Sequence, residues 1–221
     1  MPEQQAPGVR ELVGIARATY AGETDTKIRV LQGLRPHICP FHDIIPAVPS
    51  AARVLDVGCG AGLFLLLLAQ LGRLDSGHGF DVSDKAIRAG QRAAERVGTA
   101  DRLAFETRSI EDGFPQGDWD VVSAIDVIHH VPRNAQSGFV GALCDAVKPG
   151  GRLVIKDMVT RPRWRAAANL LHDLVMARQW VHHAEPDTVA ALAESKGFRP
   201  VHRSQINTLW YGHWSLVMER S

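Results

Sequence analysis

The residues able to do chemistry gather around one glycine-rich turn. Val54-Leu55-Asp56-Val57-Gly58-Cys59-Gly60-Ala61-Gly62 sets an acid directly before three alternating glycines. The apolar stretch Val54 to Val57 reads as a buried strand, and the apolar run Leu63 to Leu71 as the helix that follows. Glycines at such a junction permit tight turns and let backbone N–H groups approach a ligand. Dinucleotide sites use Gly-x-Gly-x-x-Gly, but here Leu63 stands at the third glycine position. Asp56 would repel a pyrophosphate and attract an ammonium group. Roughly 20 residues past the loop, Gly79-Phe80-Asp81-Val82-Ser83 ends a second strand in another acid. A carboxylate there can accept both hydroxyls of a ribose. The alternative is a helix cap, with Ser83 or Asp81 opening the helix from Asp84 to about Val97.

Several elements must hold these residues in place. Strands are expected at 52–57, 77–81, 102–107, 119–125 and 151–157, with helices at 62–72, 84–97 and 134–147. Such alternation argues for an α/β fold with a parallel sheet covered on both faces. Pro149-Gly150-Gly151 marks the turn into the fifth strand. Upstream lie helices at 9–20 and 26–34, a linker Arg35 to Pro40, and a short helix within 41–48. Downstream, a helix from Asp187 to Lys196 stops at Gly197, and strands 199–206 and 214–220 are joined by Asn207 to His213. Between them sits an insertion, 158–186, containing Arg161-Pro162-Arg163-Trp164-Arg165 and an apparent helix from Ala166 to Trp180. It leaves the carboxyl end of a strand, where open α/β sheets bind ligands, and so can roof a pocket. The chain is read as a single domain, 1–221. It comprises an N-terminal helical cap (1–50), a core (51–157), a lid (158–186) and a closing helix with two strands (187–221).

From about residue 52 onward the motifs resemble those of the class I S-adenosylmethionine (SAM)-dependent methyltransferases. They are Val54–Gly62, the acid Asp81, the strand Trp119-Asp120-Val121-Val122-Ser123-Ala124 and the segment Lys148-Pro149-Gly150-Gly151-Arg152-Leu153-Val154-Ile155. Asp126-Val127-Ile128-His129-His130-Val131-Pro132 is similar to a subgroup rich in quinone, lipid and natural-product methyltransferases. The resemblance implies a Rossmann-like, doubly wound, seven-stranded sheet, mostly parallel with an antiparallel last strand. It also implies SAM as the cofactor. Asp56, Gly58, Cys59, Gly60 and Gly62 would hold its methionine part and Asp81 its ribose, with Val82 also in the cofactor set. Ser109 and Ile110 would meet the adenine, with Ala124 and Ile125 completing the cofactor set. Ser109 stands where the family often has an acid for the adenine amino group.

Methyl transfer to a hydroxyl needs alignment, a dry site and a proton acceptor. Histidine suits the last task, and the chain has ten. His129 and His130 follow the fourth strand and are the candidate bases, the alternative being that the pair supports its loop. Asp126, at the strand's end, is a candidate to orient the acceptor or the cofactor's ammonium, or else a turn acid. His172 and Trp180 in the insertion, with Tyr211 and His213 before the last strand, are the candidate acceptor contacts. His172 and Asp173 are adjacent, so on a helix they point apart and cannot form a dyad. His182 and His183 lack a neighbouring acid or cysteine cluster, so no metal site is expected.

A formal charge of +1 over 221 residues provides no global electrostatic case for nucleic acid or an anionic membrane. The three cysteines lack metal or disulfide spacing, and Met1 to Gly8 does not read as a secretory signal, so a cytoplasmic location is expected. The run Leu63 to Leu71 is far short of the roughly 20 residues a membrane span needs. Arg161, Arg163 and Arg165 beside Trp164 leave lipid-surface contact as a secondary reading. The expected function is methyl transfer from SAM to a small, partly apolar acceptor, at oxygen. N- or C-methylation, a silent cofactor-binding module, and a nucleic-acid or protein methyltransferase are the rivals.

Overall fold

The computed structural model describes residues 6–159, 182, 184–208 and 211–221. Seven strands form one sheet: β1 (Ala52–Val57), β2 (Leu74–Asp81), β3 (Leu103–Thr107), β4 (Trp119–Ile125), β5 (Val147–Met158), β6 (Phe198–Thr208) and β7 (Tyr211–Arg220). Their order is β3-β2-β1-β4-β5-β7-β6, and β7 runs antiparallel to both neighbours while β1 to β5 pair in parallel. Winding reverses between β1 and β4, and the crevice at their carboxyl ends is where such sheets bind ligands.

Strand side chains alternate between faces, and two cores result. Val54, Val121, Val154 and Val217 join a core beneath α1 (Val9–Thr19), α2 (Thr26–Ile38), α3 (Phe41–Ile44), α4 (Leu63–Gln70) and α5 (Asp84–Arg96). Leu55, Val122, Leu153 and Leu216 face the other core, under α6 (Arg133–Ala146) and α7 (Pro186–Ser195). α4 is apolar all round because sheet and neighbouring helices cover it from every side, leaving only Gln70 exposed. No helix connects β3 to β4. A short 3₁₀ turn, Ile110–Asp112, and Phe114 fill that space, with Phe114 packed 5.6 Å from Phe80 and 6.2 Å from Phe139.

Three expectations about elements are corrected. The supposed linker at 35–40 is largely helical, since α2 continues through Pro36 to Ile38. Proline costs one backbone bond there, and Cys39 N–H closes the last turn on the Arg35 carbonyl at 2.7 Å. Next, residues 207–213 are not a long loop. β6 and β7 form a hairpin in which Asn207 pairs with Gly212 and Thr208 with Tyr211. Third, Met158 belongs to β5, and the insertion's described ends are Val159, His182, Ala184 and Glu185. No helix among the described residues is long and apolar enough to cross a membrane.

Candidate functional site

The glycine turn is held from three sides. Gly58 and Gly62 have φ of 68° and 79°, and a Cβ would come within 2.6 Å of Val127 Cγ2 at the first and 2.4 Å of Phe105 Cε1 at the second. At Gly60 a Cβ would meet nothing within 4 Å, so this glycine fronts open space. The Cys59 N–H donates to the Phe80 carbonyl at 3.0 Å, which ties the turn to β2. The buried Tyr20 hydroxyl donates to the Ala61 carbonyl at 2.5 Å, which ties it to the end of α1.

Beyond this turn opens a cavity of about 900 Å³. Of the residues singled out from sequence, Asp56, Gly58, Cys59, Gly60, Asp81, Val82, Ile110, Ile125, Asp126 and His130 line it. Asp81 sits at its rim with both oxygens engaged by the protein: Gly60 N–H donates to Oδ2 at 2.9 Å and Ser83 N–H to Oδ1 at 2.8 Å. Each carboxylate oxygen still has a second lone pair to offer a ligand. Ser83 provides the helix cap as well, accepting Ala86 N–H at 3.3 Å, so the two readings of this segment describe neighbouring residues.

Asp56 is buried, and desolvation pushes its carboxyl up to about 7, against the opposing pull of the Ser123 hydroxyl and Arg35. Ser123 Oγ donates to Asp56 Oδ1 at 2.6 Å, across neighbouring strands whose registered residues share a face. Asp126 behaves oppositely. Burial would raise its carboxyl too, but Lys156 and Arg35 outweigh that and hold it well below the usual carboxylate range. Lys156 Nζ donates to Asp126 Oδ1 at 2.5 Å and Arg35 Nη2 to Oδ2 at 3.1 Å.

Five candidates lie outside the cavity lining. Ala124 is fully buried on the opposite face from Asp56, because strand side chains alternate. Gly62 is the left-handed residue preceding α4 and packs under Phe105. Ser109 caps the 3₁₀ turn: its Oγ accepts Glu111 N–H at 3.2 Å and its own N–H donates to Asp112 Oδ2 at 3.1 Å. His129 is buried, with Nδ1 2.6 Å from Asp157 Oδ1 and its backbone N–H donating to Asp157 Oδ2 at 3.1 Å. His213 lies within β7, paired with Met158, and its burial and the nearby Lys156 push its imidazole down to about 3. His172, Trp180, Arg161, Arg163 and Arg165 lie outside the described residues, as does the side chain of Tyr211.

Sequence reasoning missed Arg35, Gln32, Phe41 and Phe64, all of which line the cavity. The two rings stack at 6.1 Å. Arg35 carried no local signal, since Arg35-Pro36 reads as a linker. It also missed Lys156 and Asp157, although two charges in an otherwise apolar strand were the available clue.

A family model described as a methyltransferase domain matches residues 34–203. A ubiquinone biosynthesis O-methyltransferase of Albidiferax ferrireducens is 33% identical over 129 residues, covering 58% of this chain and 46% of that protein. One of Ralstonia nicotianae is 26% identical over 204 residues, covering 82% of each. The chain spans about half the length of the first of these curated relatives. Among solved structures, the magnesium protoporphyrin IX methyltransferase of Synechocystis with bound SAH superposes with a TM-score of 0.68 at 19% identity, over 93% of this chain and 92% of that one.

Proposed function

The chain belongs to the methyltransferase domain family, and from that premise we propose that it methylates a hydroxyl of a small, partly apolar molecule, using SAM. The observation that carries this reading is the shared cavity. Two acids at strand ends, an open glycine and an exposed histidine face one volume of about 900 Å³. Asp81 offers its remaining lone pairs to the ribose hydroxyls. Asp56 meets the ammonium and Arg35 the carboxylate of the methionine part. Gly60 leaves room for that part to lie against the backbone, and Ile110 and Val82 flank the adenine.

SAM supplies an electrophilic methyl group on a sulfonium, and the acceptor oxygen displaces the thioether from it. The protein's own share is alignment, exclusion of water and removal of the hydroxyl proton. His130 is the residue for that last step, since it reaches the cavity whereas His129 is buried behind it. Val127, Val131, Phe41 and Phe64 present apolar surface, which fits an acceptor with hydrophobic area. Oxygen is favoured over nitrogen or carbon by the match to relatives named O-methyltransferases and by the histidine in the cavity.

The test is calorimetric binding of SAM and its demethylated product, SAH, followed by methyl transfer to a panel of phenols and catechols read by product mass. Asp81→Ala should weaken both ligands at least tenfold, about 1.4 kcal/mol or more. Unchanged affinity would remove the ribose assignment. His130→Ala should leave SAH affinity intact while lowering turnover by 10² to 10⁴, the usual worth of a general base.

A further inference from the structure

Resting on the reading of the cavity as a methyl-transfer site, we propose that Lys156 and Asp157 are positioning residues: a two-sided clamp on the 126–130 turn that places His130. The two are neighbours at the end of β5, so their side chains leave the sheet on opposite faces. Lys156 points to the face of Asp56 and Ser123 and Asp157 to the face of α6, as the strand registers require.

Each grips a different end of the same turn. On one face, Lys156 Nζ donates to Asp126 Oδ1 at 2.5 Å, while the Lys156 carbonyl accepts the Asp126 N–H at 2.8 Å. Asp126 has φ of 58°, a left-handed conformation that persists in a non-glycine residue when surrounding contacts enforce it. On the other face, Asp157 accepts the backbone N–H of His129 and the Met158 N–H at 2.6 Å, and its Oδ1 lies 2.6 Å from His129 Nδ1. With both Asp157 oxygens accepting backbone N–H groups, the clamp puts the proton of this contact on Nδ1. The His129 ring, fixed in this way, lies 4.1 Å from the His130 ring. His130 is exposed on the cavity, whereas Lys156, Asp157 and His129 are all buried. Neither Lys156 nor Asp157 lines the cavity, and each spends its buried polar atoms on the turn.

Ring spectra of protein carrying nitrogen-15-labelled histidine, with and without SAH, provide the test. In the wild type His129 should carry a slowly exchanging proton on Nδ1. Asp157→Asn should abolish that signature and move the His130 ring resonances, with SAH affinity kept within twofold. Lys156→Met, acting from the opposite face, should move the His130 resonances while His129 keeps its Nδ1 proton. A wild-type His129 lacking that proton would overturn the proposal, as would His130 resonances unmoved in either folded variant. Should Asp157→Asn not fold, the wild-type spectrum and Lys156→Met still decide. A wild type that fails to bind SAH would refute the cofactor reading alone, because spectra of the free protein still report the clamp.

Discussion

Asp56 and Asp126 show how one residue type takes opposite roles within a single cavity. Burial dominates at Asp56 and pushes it to about 7, whereas two cations hold Asp126 ionised. A cationic ligand group beside Asp56 binds its charged form, so ligand affinity is linked to that proton. Below about pH 7 the carboxyl is neutral and the attraction to an ammonium is lost; above it the attraction is present. SAM should therefore bind on the order of tenfold more weakly at pH 6 than at pH 8, one pH unit being worth about 1.4 kcal/mol. Asp56→Asn should bind more weakly at pH 8 and flatten that profile, and calorimetry at the two pH values checks both. A profile equally steep in the variant would place the titrating group elsewhere. Asp56 was legible because it directly precedes the glycine turn, and Asp81 because it ends the next strand roughly 20 residues on. Ser123 and Arg35, which help set the charge on Asp56, were not, because they reach it through strand register and helix packing.

The glycine turn works as an element only because α1, β2 and β3 brace it. Gly62→Ala forces a Cβ into Phe105 and a side chain into a left-handed φ of 79°. The expected loss is on the order of 3 kcal/mol, combining overpacking with conformational strain. Urea unfolding should show a lower midpoint at unchanged slope. Tyr20→Phe removes the one bond that ties α1 to the Ala61 carbonyl and leaves that carbonyl buried without its donor. About 1 to 3 kcal/mol should be lost in the same measurement. A neutral result for Tyr20→Phe would mean that α1 packs on the turn through its apolar face alone. Alternation from 52 to 157 was readable since hydrophobic period and turn residues are local signals. The end of α2 was misjudged because Pro36 reads as a breaker, and the β6–β7 hairpin because its Asn207 and Gly212 read as loop residues.

Across the whole molecule, β7 inserts between β5 and β6 and buries His213 against β5, beside Lys156, Asp126 and Asp157. The folded imidazole titrates near 3, whereas in the unfolded chain its pKa is about 6.5. At His213 the unfolded state thus binds more protons between those values, and the contribution of this residue to stability falls as pH drops through that window. The sensitivity should reach no more than about 1.4 kcal/mol per pH unit. Carboxylates such as Asp126 contribute their own acid loss only below their unfolded pKa of about 4. Between pH 4 and 6.5 Asp56, raised to about 7, opposes His213, because there the folded state holds the carboxyl proton and the unfolded chain does not; the two slopes offset, and His213→Gln should make stability rise as pH falls. An unaltered slope in that variant would remove the assignment to His213.

Local pattern alone determined the family, the order of the central elements, the glycine turn and its two acids, because all are set by residues near one another in the chain. Tertiary structure alone decided which histidine reaches the cavity, that Arg35 and the Phe41–Phe64 pair wall it, and that Lys156 and Asp157 hold the turn before it. The reason is geometric. Which face a strand residue takes and which helix packs over it depend on register between segments far apart in sequence, and no window along the chain carries that information.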